Sequence, residues 1–363
     1  MNLESIKLLI VGGSGGRTGG TGIFVAEQKR NLEDIITVDV FPAGIGYAID
    51  SKLSFLIGFF LSIIRLAKFP FQEKPDIVHI NTSSSWGFYR NSFYVLFSYY
   101  VWECPVVIYT RGSGFDEFIR PNNRFDYYFK YLVLNSSDKI LTLTDVQKKA
   151  TEQYVSCKKA QVHRQCTEVE KYSPTYNQDQ VHVLFLSNFH KRKGVSETVD
   201  AIDNLLQSSS TNSVNLEISF AGDGKYKSEI IELSQRHDCV EYHGFVTGEE
   251  KISLINNSTI FLLPTYSEGF PSAIIEAMAG GNAIITTDVS GIPEVIIDGK
   301  NGMIIEPRNS EDILEALEHL ITSPDNVLEM AKRNRKDAVS NHDWETMTQS
   351  LLGLYIYLLS NRS

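Results

Sequence analysis

The sequence predicts an α/β protein of two domains, each built on a doubly wound parallel sheet. Its 363 residues exceed the roughly 100–200 residues of a typical single domain. Short apolar runs alternate with helix-length segments, a pattern typical of parallel strands that are buried on both faces. A polar stretch at residues 171–180, which contains Pro174, interrupts this alternation before it begins again. We therefore expect one domain at residues 1–175 and a second at residues 176–343.

Eight apolar runs correspond to the expected strands. They cover residues 6–11, 76–80, 105–109 and 139–143 in the first domain and 181–186, 216–220, 259–263 and 283–286 in the second. Helices are expected between the second-domain strands, at residues 195–206, 227–236, 249–255 and 272–279. The segment from about 344 to 363 has a helical pattern and is apolar on one side. We expect it to pack back on the first domain.

The composition is that of a globular protein. Hydrophobic residues make up 42% of the chain and charged residues 21%, which excludes a disordered or collagen-like chain. The four cysteines are widely spaced and form no Cys-x-x-Cys pair, which argues against a zinc ribbon, a redox motif or a disulfide framework. The first seven residues lack the pattern of a signal peptide. We therefore expect a cytoplasmic protein.

The net charge of −10 is unevenly distributed along the chain. Residues 1–175 carry a net charge of +3, whereas residues 176–363 carry −13. Binding of nucleic acid would require a concentrated basic face, so we expect no nucleic-acid partner. The mildly basic first half is compatible with an anionic surface as a partner.

An apolar helix is predicted at residues 51–71. Its apolar residues lie nearly all round the helix, yet it falls short of the roughly 20 apolar residues that span a bilayer. Two interpretations are open: a core helix under the sheet, or a helix that lies on a membrane surface with basic residues at its end. Interleaved aromatic and basic residues of the first domain favour peripheral membrane contact, although core aromatics are the alternative. These residues are Trp86, Phe88, Tyr89, Arg90, Tyr99, Tyr100, Arg120, Arg124, Phe125, Tyr127, Tyr128, Phe129 and Lys130.

Glycines are concentrated directly after the first predicted strand, at residues 12–22. Their backbone N–H groups can approach an anion, and a helix that begins near Thr21 adds its positive end, so this loop with Gly15 and Gly16 is a candidate phosphate cradle. Thr18 replaces the third glycine of a dinucleotide fingerprint, and Thr21 replaces the P-loop lysine. Both of those motifs are therefore excluded, and a flexible turn without a ligand is the alternative.

A second candidate site lies at residues 264–281 of the second domain. A loop there presents Glu268, Pro271 stands near the start of a helix, and Glu276 lies about one turn inside that helix. A helix amino terminus suits a diphosphate, and the two carboxylates can accept hydrogen bonds from sugar or ribose hydroxyl groups. Taken singly, Glu276 could equally be a solvated helix residue and Glu268 a capping side chain.

The spacing Glu268-x7-Glu276 within Ser-Glu-Gly-Phe-Pro-Ser closely resembles the signature of retaining glycosyltransferases of family 4. These enzymes have two Rossmann-like domains that face each other across a cleft, the GT-B fold. Further elements in family order extend the resemblance over nearly the whole chain. They are Lys193-Gly194, Phe220-Ala221-Gly222-Asp223-Gly224, Tyr242-His243-Gly244-Phe245-Val246, Ser290-Gly291-Ile292-Pro293-Glu294 and Asn301-Gly302.

The resemblance implies roles for the matching residues of a donor site. Glu268 would contact the hydroxyl groups of the donor sugar and support the charge that develops during transfer. Glu276 would bind the ribose of the nucleotide. The other expected donor-binding residues are Gly269, Phe270, Pro271 and Ser272 beside the diphosphate, and Phe245 and Val246 beside the base.

Lys193 matches the lysine that contacts the donor phosphate in this family. A fixed positive charge there stabilises the negative charge that grows on the departing nucleoside diphosphate. Five positions earlier, relatives often carry an arginine partner, and this chain has Asn188. Arg192, or Arg17 of the glycine loop, is the candidate to replace that charge.

Arg111 follows a first-domain strand at a position where many relatives carry a histidine that faces the reacting sugar. An arginine there can bind the donor phosphate or an anionic acceptor, so the role of the histidine does not transfer. No Asp-x-Asp motif occurs in the chain. The resemblance implies that neither a metal ion nor another cofactor is required.

The sequence therefore predicts a hexosyltransferase that uses a nucleotide-diphosphate sugar, with UDP as the default nucleotide by family frequency. The expected acceptor is a glycan. The aromatic and basic surface favours a lipid-linked acceptor at the inner face of a bacterial cytoplasmic membrane, in the synthesis of a surface polysaccharide. Alternatives are a nucleotide-sugar epimerase or a phosphorylase of the same fold, or a catalytically silent nucleotide-sugar-binding protein. A dinucleotide oxidoreductase is excluded because the glycine fingerprint is incomplete.

Overall fold

The computed structural model describes residues 3–13, 20–43, 52–112, 114–176, 180–208, 214–268 and 270–361, and for residues 20, 52–56 and 59 it describes the backbone only. The chain divides into two compact units, one of Met1–Arg164 with Met347–Ser363 and one of Gln165–Thr346. The division after Arg164 lies upstream of the boundary expected at residue 175. Each unit is built on one parallel sheet.

The first unit contains a six-stranded sheet. Its strands are β1 (Lys7–Val11), β2 (Thr37–Phe41), β3 (Ile77–Thr82), β4 (Val106–Thr110), β5 (Lys139–Thr142) and β6 (Ala160–Val162). They pair in parallel in the order β2-β1-β3-β4-β5-β6. Its helices are α1 (Gly20–Leu32), α2 (Lys52–Lys68), α3 (Trp86–Tyr100), α4 (Phe115–Ile119), α5 (Arg124–Asn135) and α6 (Asp145–Thr151).

The second unit also contains a six-stranded parallel sheet. Its strands are β7 (Val181–Leu186), β8 (Leu216–Ala221), β9 (Val240–Gly244), β10 (Ile260–Leu263), β11 (Ala283–Thr287) and β12 (Gly302–Ile305). They pair in the order β12-β11-β10-β7-β8-β9. Its helices are α7 (Val195–Gln207), α8 (Lys227–Arg236), α9 (Gly248–Asn257), α10 (Ser272–Ala279), α11 (Ser310–Ile321) and α12 (Pro324–Asn341). The last helix, α13 (Trp344–Ser360), enters the first unit at Met347.

The predicted doubly wound α/β fold is confirmed in both units. All eight predicted strands are present, and every residue of β3, β4, β10 and β11 is buried, as expected for strands that are covered on both faces. The predicted helices at residues 227–236 and 272–279 coincide with α8 and α10. Four further strands, β2, β6, β9 and β12, are not among those predicted.

The apolar helix predicted at residues 51–71 corresponds to α2 and a short 3₁₀ helix, Phe69–Phe71. The helix is not buried all round: Ile57, Phe60, Ile63 and Ile64 are exposed, whereas Ser62 is buried and Leu66 packs against the core of the first unit. Within the described part of the chain, no helix is both long enough and apolar enough to cross a membrane.

Lys130 is not part of a basic surface, contrary to the sequence-based expectation. Its side chain is fully buried, and its ammonium donates to Asp126 at 2.8 Å and to the carbonyl oxygens of Phe118 and Arg120 at 2.6 and 3.2 Å. Asp126 also accepts a hydrogen bond from the hydroxyl of Tyr89 at 2.8 Å. These contacts compensate a buried charge and join α5 to α3 and to the end of α4.

The apolar face of α13 packs on a buried polar network of the first unit. Leu351, Tyr355 and Leu358 are buried at helical spacing, and the Tyr355 hydroxyl lies 2.7 Å from Nδ1 of His79 on β3. Burial, with smaller contributions from His163 and the positive charge of Arg111, lowers the pKa of His79 to about 3. Both histidines are therefore neutral in the folded protein near neutral pH, since burial and Arg111 lower the pKa of His163 to about 4.

We expect the free energy of unfolding to fall as the pH is lowered below about 6.5, the ordinary pKa of histidine. His79 and His163 bind protons more weakly in the folded than in the unfolded state, so their contribution is complete above pH 6.5 and is lost as the pH falls towards about 4 and 3. The slope of the free energy of unfolding against pH should reach about 1.4 kcal/mol per pH unit for each histidine. Urea unfolding at pH 7, 6, 5 and 4 measures it. An unchanged slope in the His79→Gln/His163→Gln double variant would contradict this assignment.

Candidate functional site

The strand order of the second sheet reverses between β7 and β10. From this point the sheet continues through β8 and β9 on one side and through β11 and β12 on the other. In open α/β sheets, ligands bind beyond the carboxyl ends of the strands at such a reversal. The loops that follow β7 and β10 both begin there, and they contain Lys193 and Glu268.

These two loops are bonded to each other through their backbones. The carbonyl oxygen of Arg192 accepts hydrogen bonds from the backbone N–H of Tyr266 at 2.7 Å and from the hydroxyl of Thr265 at 3.0 Å. Gly194 lies directly against Pro264: its φ is +71°, and a Cβ atom at this position would overlap the carbonyl oxygen of Pro264. Any larger residue would push the two loops apart.

Lys193 and Glu268 form an ion pair between the loops. The Lys193 Nζ donates to Oε1 of Glu268, and the two side chains are only 13% and 12% exposed. Burial, reinforced by the charge of Arg192, lowers the pKa of Lys193 to about 8. The Glu268 carboxylate acts in the opposite direction because it favours the charged ammonium. The pair can present a positive charge to an anion and carboxylate oxygens to hydroxyl groups.

The amino terminus of α10 lies immediately after this pair in the chain. Pro271 precedes the helix in an extended conformation, as expected at a helix start, and the first helical residue, Ser272, is exposed. Phe270 is buried, with its ring centroid 6.1 Å from that of His342. Gly269 lies outside the described residues. The partial positive charge of this terminus adds to that of the nearby lysine.

Glu276, one turn inside α10, forms a second lysine–glutamate pair. Its Oε1 accepts a hydrogen bond from Nζ of Lys251 on α9 at 2.7 Å. Tyr172 lies close enough for the Glu276 carboxylate to add to the rise in the phenol pKa that burial chiefly causes. The carboxylate is therefore held near both an ammonium and a phenol.

The remaining predicted donor-site residues of the second unit differ in exposure. Phe245 follows β9 and is 70% exposed, whereas the adjacent Val246 is buried. The exposed ring offers a surface on which a planar base can stack. Asn188 and Arg192 have exposed side chains. The carbonyl oxygen of Asn188 accepts a hydrogen bond from the backbone N–H of His190 within the loop after β7, whereas that of Arg192 bonds to the loop after β10.

The candidate residues of the first unit are Arg111 and the glycine loop. Arg111 directly follows β4 and is buried, with its guanidinium carbon 3.2 Å from the ring centroid of Phe24 and 5.0 Å from that of Tyr109. Stacking on these rings holds the cation in a fixed position. The other candidates of this unit, Gly15, Gly16 and Arg17, lie outside the described residues.

Sequence reasoning missed Lys251, Thr265 and Tyr172. Thr265 stands within the Glu268 motif, and its position two residues after a buried strand was the available signal. Lys251 and Glu276 are separated by 25 residues, and no spacing rule connects two different helices. Within the described ranges, no three His, Cys, Asp or Glu side chains are grouped as a metal site would require.

Residues 168–337 match the family model described as glycosyl transferases group 1. This range contains both lysine–glutamate pairs. An uncharacterized glycosyltransferase of Methanocaldococcus jannaschii is 26% identical over 255 residues, which cover 69% of this chain and 68% of that protein. Glycogen synthase of Mycobacterium tuberculosis is 22% identical over 48% of this chain, and the match spans 42% of its own length. The chain therefore matches less than half of that second relative.

Solved structures resemble the whole chain. Sucrose-phosphate synthase from Thermosynechococcus elongatus has a TM-score of 0.72 and 16% identity, with coverage of 98% of this chain and 100% of that one. Anabaena HepE in complex with UDP has a TM-score of 0.71 and 16% identity, with coverage of 96% and 99%. At this identity the likeness shows the fold, which is the GT-B fold of glycosyltransferases. Together with the family match, it supports glycosyltransferase function.

Replacement of Gly194 by alanine should destabilise the second unit. A non-glycine residue at positive φ costs about 1–3 kcal/mol, and the new Cβ atom must also displace the backbone of Pro264. Gly248 is a matched control because it has a φ of +58° but no neighbouring atom within 4 Å of the added Cβ. Thermal unfolding should show a larger loss for Gly194→Ala than for Gly248→Ala. Equal losses would show that the contact between the loops is unimportant.

Proposed function

We propose that the protein is a retaining glycosyltransferase that moves a hexosyl group from a UDP-sugar to a glycan acceptor. The observation that carries this proposal is the buried Lys193–Glu268 pair at the reversal point of the second sheet, followed by the start of α10. A lysine and a helix amino terminus together suit a diphosphate, and a carboxylate suits sugar hydroxyl groups. The similarity to HepE, whose solved structure contains UDP, supports uridine as the base.

Each candidate site residue of the second unit then has a role in binding the donor. The diphosphate binds Lys193 and the amino terminus of α10. When Lys193 pairs with the diphosphate instead of Glu268, the Glu268 carboxylate becomes available to accept hydrogen bonds from the donor sugar. Glu276 binds the ribose, and the base lies against Phe245 and Val246.

Transfer proceeds on one face of the sugar. The acceptor hydroxyl attacks the anomeric carbon as the bond to the diphosphate oxygen breaks, through an oxocarbenium-like state, and its proton passes to the departing UDP. No protein nucleophile, metal ion or other cofactor is required in this scheme. Lys193 stabilises the negative charge that grows on the leaving group. Arg111 is the first-unit candidate for binding phosphate or an anionic acceptor.

Lys193→Ala and Glu268→Gln variants should lose most of the transfer activity. Removal of a preorganised charge at a developing ion typically lowers kcat by about 10²–10³-fold, and we expect losses of this size for both variants. Release of UDP from a panel of UDP-sugars, with and without a membrane lipid extract and EDTA, measures the reaction. NMR of the product should show that the donor's anomeric configuration is retained.

Lys193→Arg is the matched control, because it keeps the charge and should retain part of the activity. Thermal unfolding of each variant separates loss of chemistry from loss of the fold. Unchanged transfer by Lys193→Ala and Glu268→Gln would overturn the proposed site. Inversion of the anomeric centre would overturn the retaining mechanism, and loss of release in EDTA would overturn metal independence.

The acceptor is proposed to be lipid-linked because the first unit exposes an apolar surface at helical spacing. This surface consists of Ile57, Phe60, Ile63 and Ile64 on α2, Trp86, Tyr89, Phe93 and Tyr100 on α3, and Phe125, Tyr128, Tyr131 and Leu132 on α5. The three helices are neighbours, since Tyr89 is hydrogen-bonded to Asp126 of α5, and Phe93 contacts the ring of Phe69 just after α2. Arg65 and Lys68 lie in the last turn of α2. Apolar side chains next to basic ones suit the surface of an anionic membrane.

We expect the purified protein to float with vesicles of phosphatidylglycerol and phosphatidylethanolamine, less so at high salt. In the Phe60→Ala/Phe125→Ala double variant, vesicle binding should fall at least about tenfold, because burial of each phenylalanine contributes about 1.5–3 kcal/mol. Ile297→Ala is the control, since Ile297 is an exposed apolar residue of the second unit. Absence of wild-type flotation, or equal effects of the control, would argue against membrane contact and favour a soluble acceptor.

A further inference from the structure

The function proposed above assigns a role to Glu276 but none to Lys251, with which it is paired. We propose that Lys251 is a positioning residue that orients the Glu276 carboxylate towards the ribose hydroxyl groups of the donor nucleotide. This inference rests on the proposed function, because it assumes that Glu276 is the ribose-binding carboxylate. It adds a residue of α9 to a site that otherwise consists of loops and the start of α10.

Lys251 is held in place by the packing of α9 against the far end of α10. The side-chain amide of Asn282, just beyond α10, donates to the carbonyl oxygens of Ile255 and Ser258 at 3.0 and 2.5 Å. The side chain of Ile255 fills the space beside Gly280, where a Cβ atom would overlap it. The carboxyl end of α9 is therefore fixed, and the ion pair connects Lys251, near its amino end, to Glu276.

The surroundings of Glu276 explain why its carboxylate needs a partner. Its side chain is 17% exposed, and that of Lys251 is 28% exposed, while Ile275 and Ala277 on either side in the chain are fully buried. A carboxylate in such a setting is unfavourable without a compensating charge. The terminal torsion of a glutamate side chain is also broad, so the carboxylate plane is not fixed by the helix itself.

The Lys251 ammonium supplies both the charge and the orientation. Its Nζ donates to Oε1 of Glu276 at 2.7 Å, which fixes one oxygen of the carboxylate. A ribose presents two neighbouring hydroxyl groups, which require a carboxylate of defined orientation to accept both hydrogen bonds. Lys193, by contrast, is paired with Glu268 and serves the diphosphate, so the two lysines act on different parts of the nucleotide.

Binding of UDP and of 2′,3′-dideoxy-UDP by isothermal calorimetry tests this inference, because the second nucleotide lacks both ribose hydroxyl groups. We expect the wild-type protein to prefer UDP by about tenfold or more, as for hydrogen bonds to a charged group. Lys251→Met should weaken UDP binding by about tenfold and leave dideoxy-UDP binding within about twofold, so that the preference is lost. Lys251→Arg should restore it.

The controls separate this inference from simpler explanations. Lys29→Met removes the lysine of an exposed pair with Glu33 in the first unit and should not change the preference. In a Glu276→Gln background, Lys251→Met should have little further effect on UDP binding. Equal weakening of both nucleotides would assign Lys251 to the diphosphate and overturn the inference, as would an unchanged preference. Failure of the wild-type protein to bind UDP would instead overturn the proposed donor, and this inference with it.

Discussion

The contact between Gly194 and Pro264 is the constraint on which the candidate site depends. It brings the loop after β7 against the loop after β10, so that the carbonyl oxygen of Arg192 reaches the backbone N–H of Tyr266. This backbone bonding places Lys193 beside Glu268, although the two residues are 75 positions apart in the chain. A side chain at residue 194 would separate the loops, and the buried ion pair does not by itself hold them together, because the cost of removing both charges from water offsets much of their attraction.

Local positive charge matters in this protein because the chain from residue 176 onwards carries a net charge of −13. An anionic donor would be repelled by a uniform field of this sign. Charges separated by more than about 8–10 Å are largely screened at physiological salt, however, so the groups nearest the ligand decide the interaction. Lys193 and the amino terminus of α10 supply positive charge at the point where the sheet order reverses, whereas Lys251 is paired with Glu276. Each lysine is compensated by a glutamate, so neither is left as an isolated buried charge.

The first unit contains a buried polar cluster beside its apolar core and also exposes large apolar side chains. His79, Tyr355 and Arg111 are buried near one another, whereas Phe60 and Phe125 are 62% and 81% exposed. Hydrogen bonds and aromatic stacking satisfy the interior groups. Large apolar side chains that stay exposed in this number on neighbouring helices can mark an interaction site. The exposed side chains are those that the proposed membrane contact would cover.

The sequence by itself determined the fold class, the buried central strands and the identity of Lys193, Glu268 and Glu276 as candidates, because continuous apolar runs and local motifs carry that information. It did not reveal the strands β2, β6, β9 and β12, which form the edges of the two sheets and have short or only partly buried patterns. Only the tertiary structure decided that Lys130 is buried and that Lys251 meets Glu276. The physical reason is that strand order and helix packing, rather than sequence spacing, determine which distant residues become neighbours.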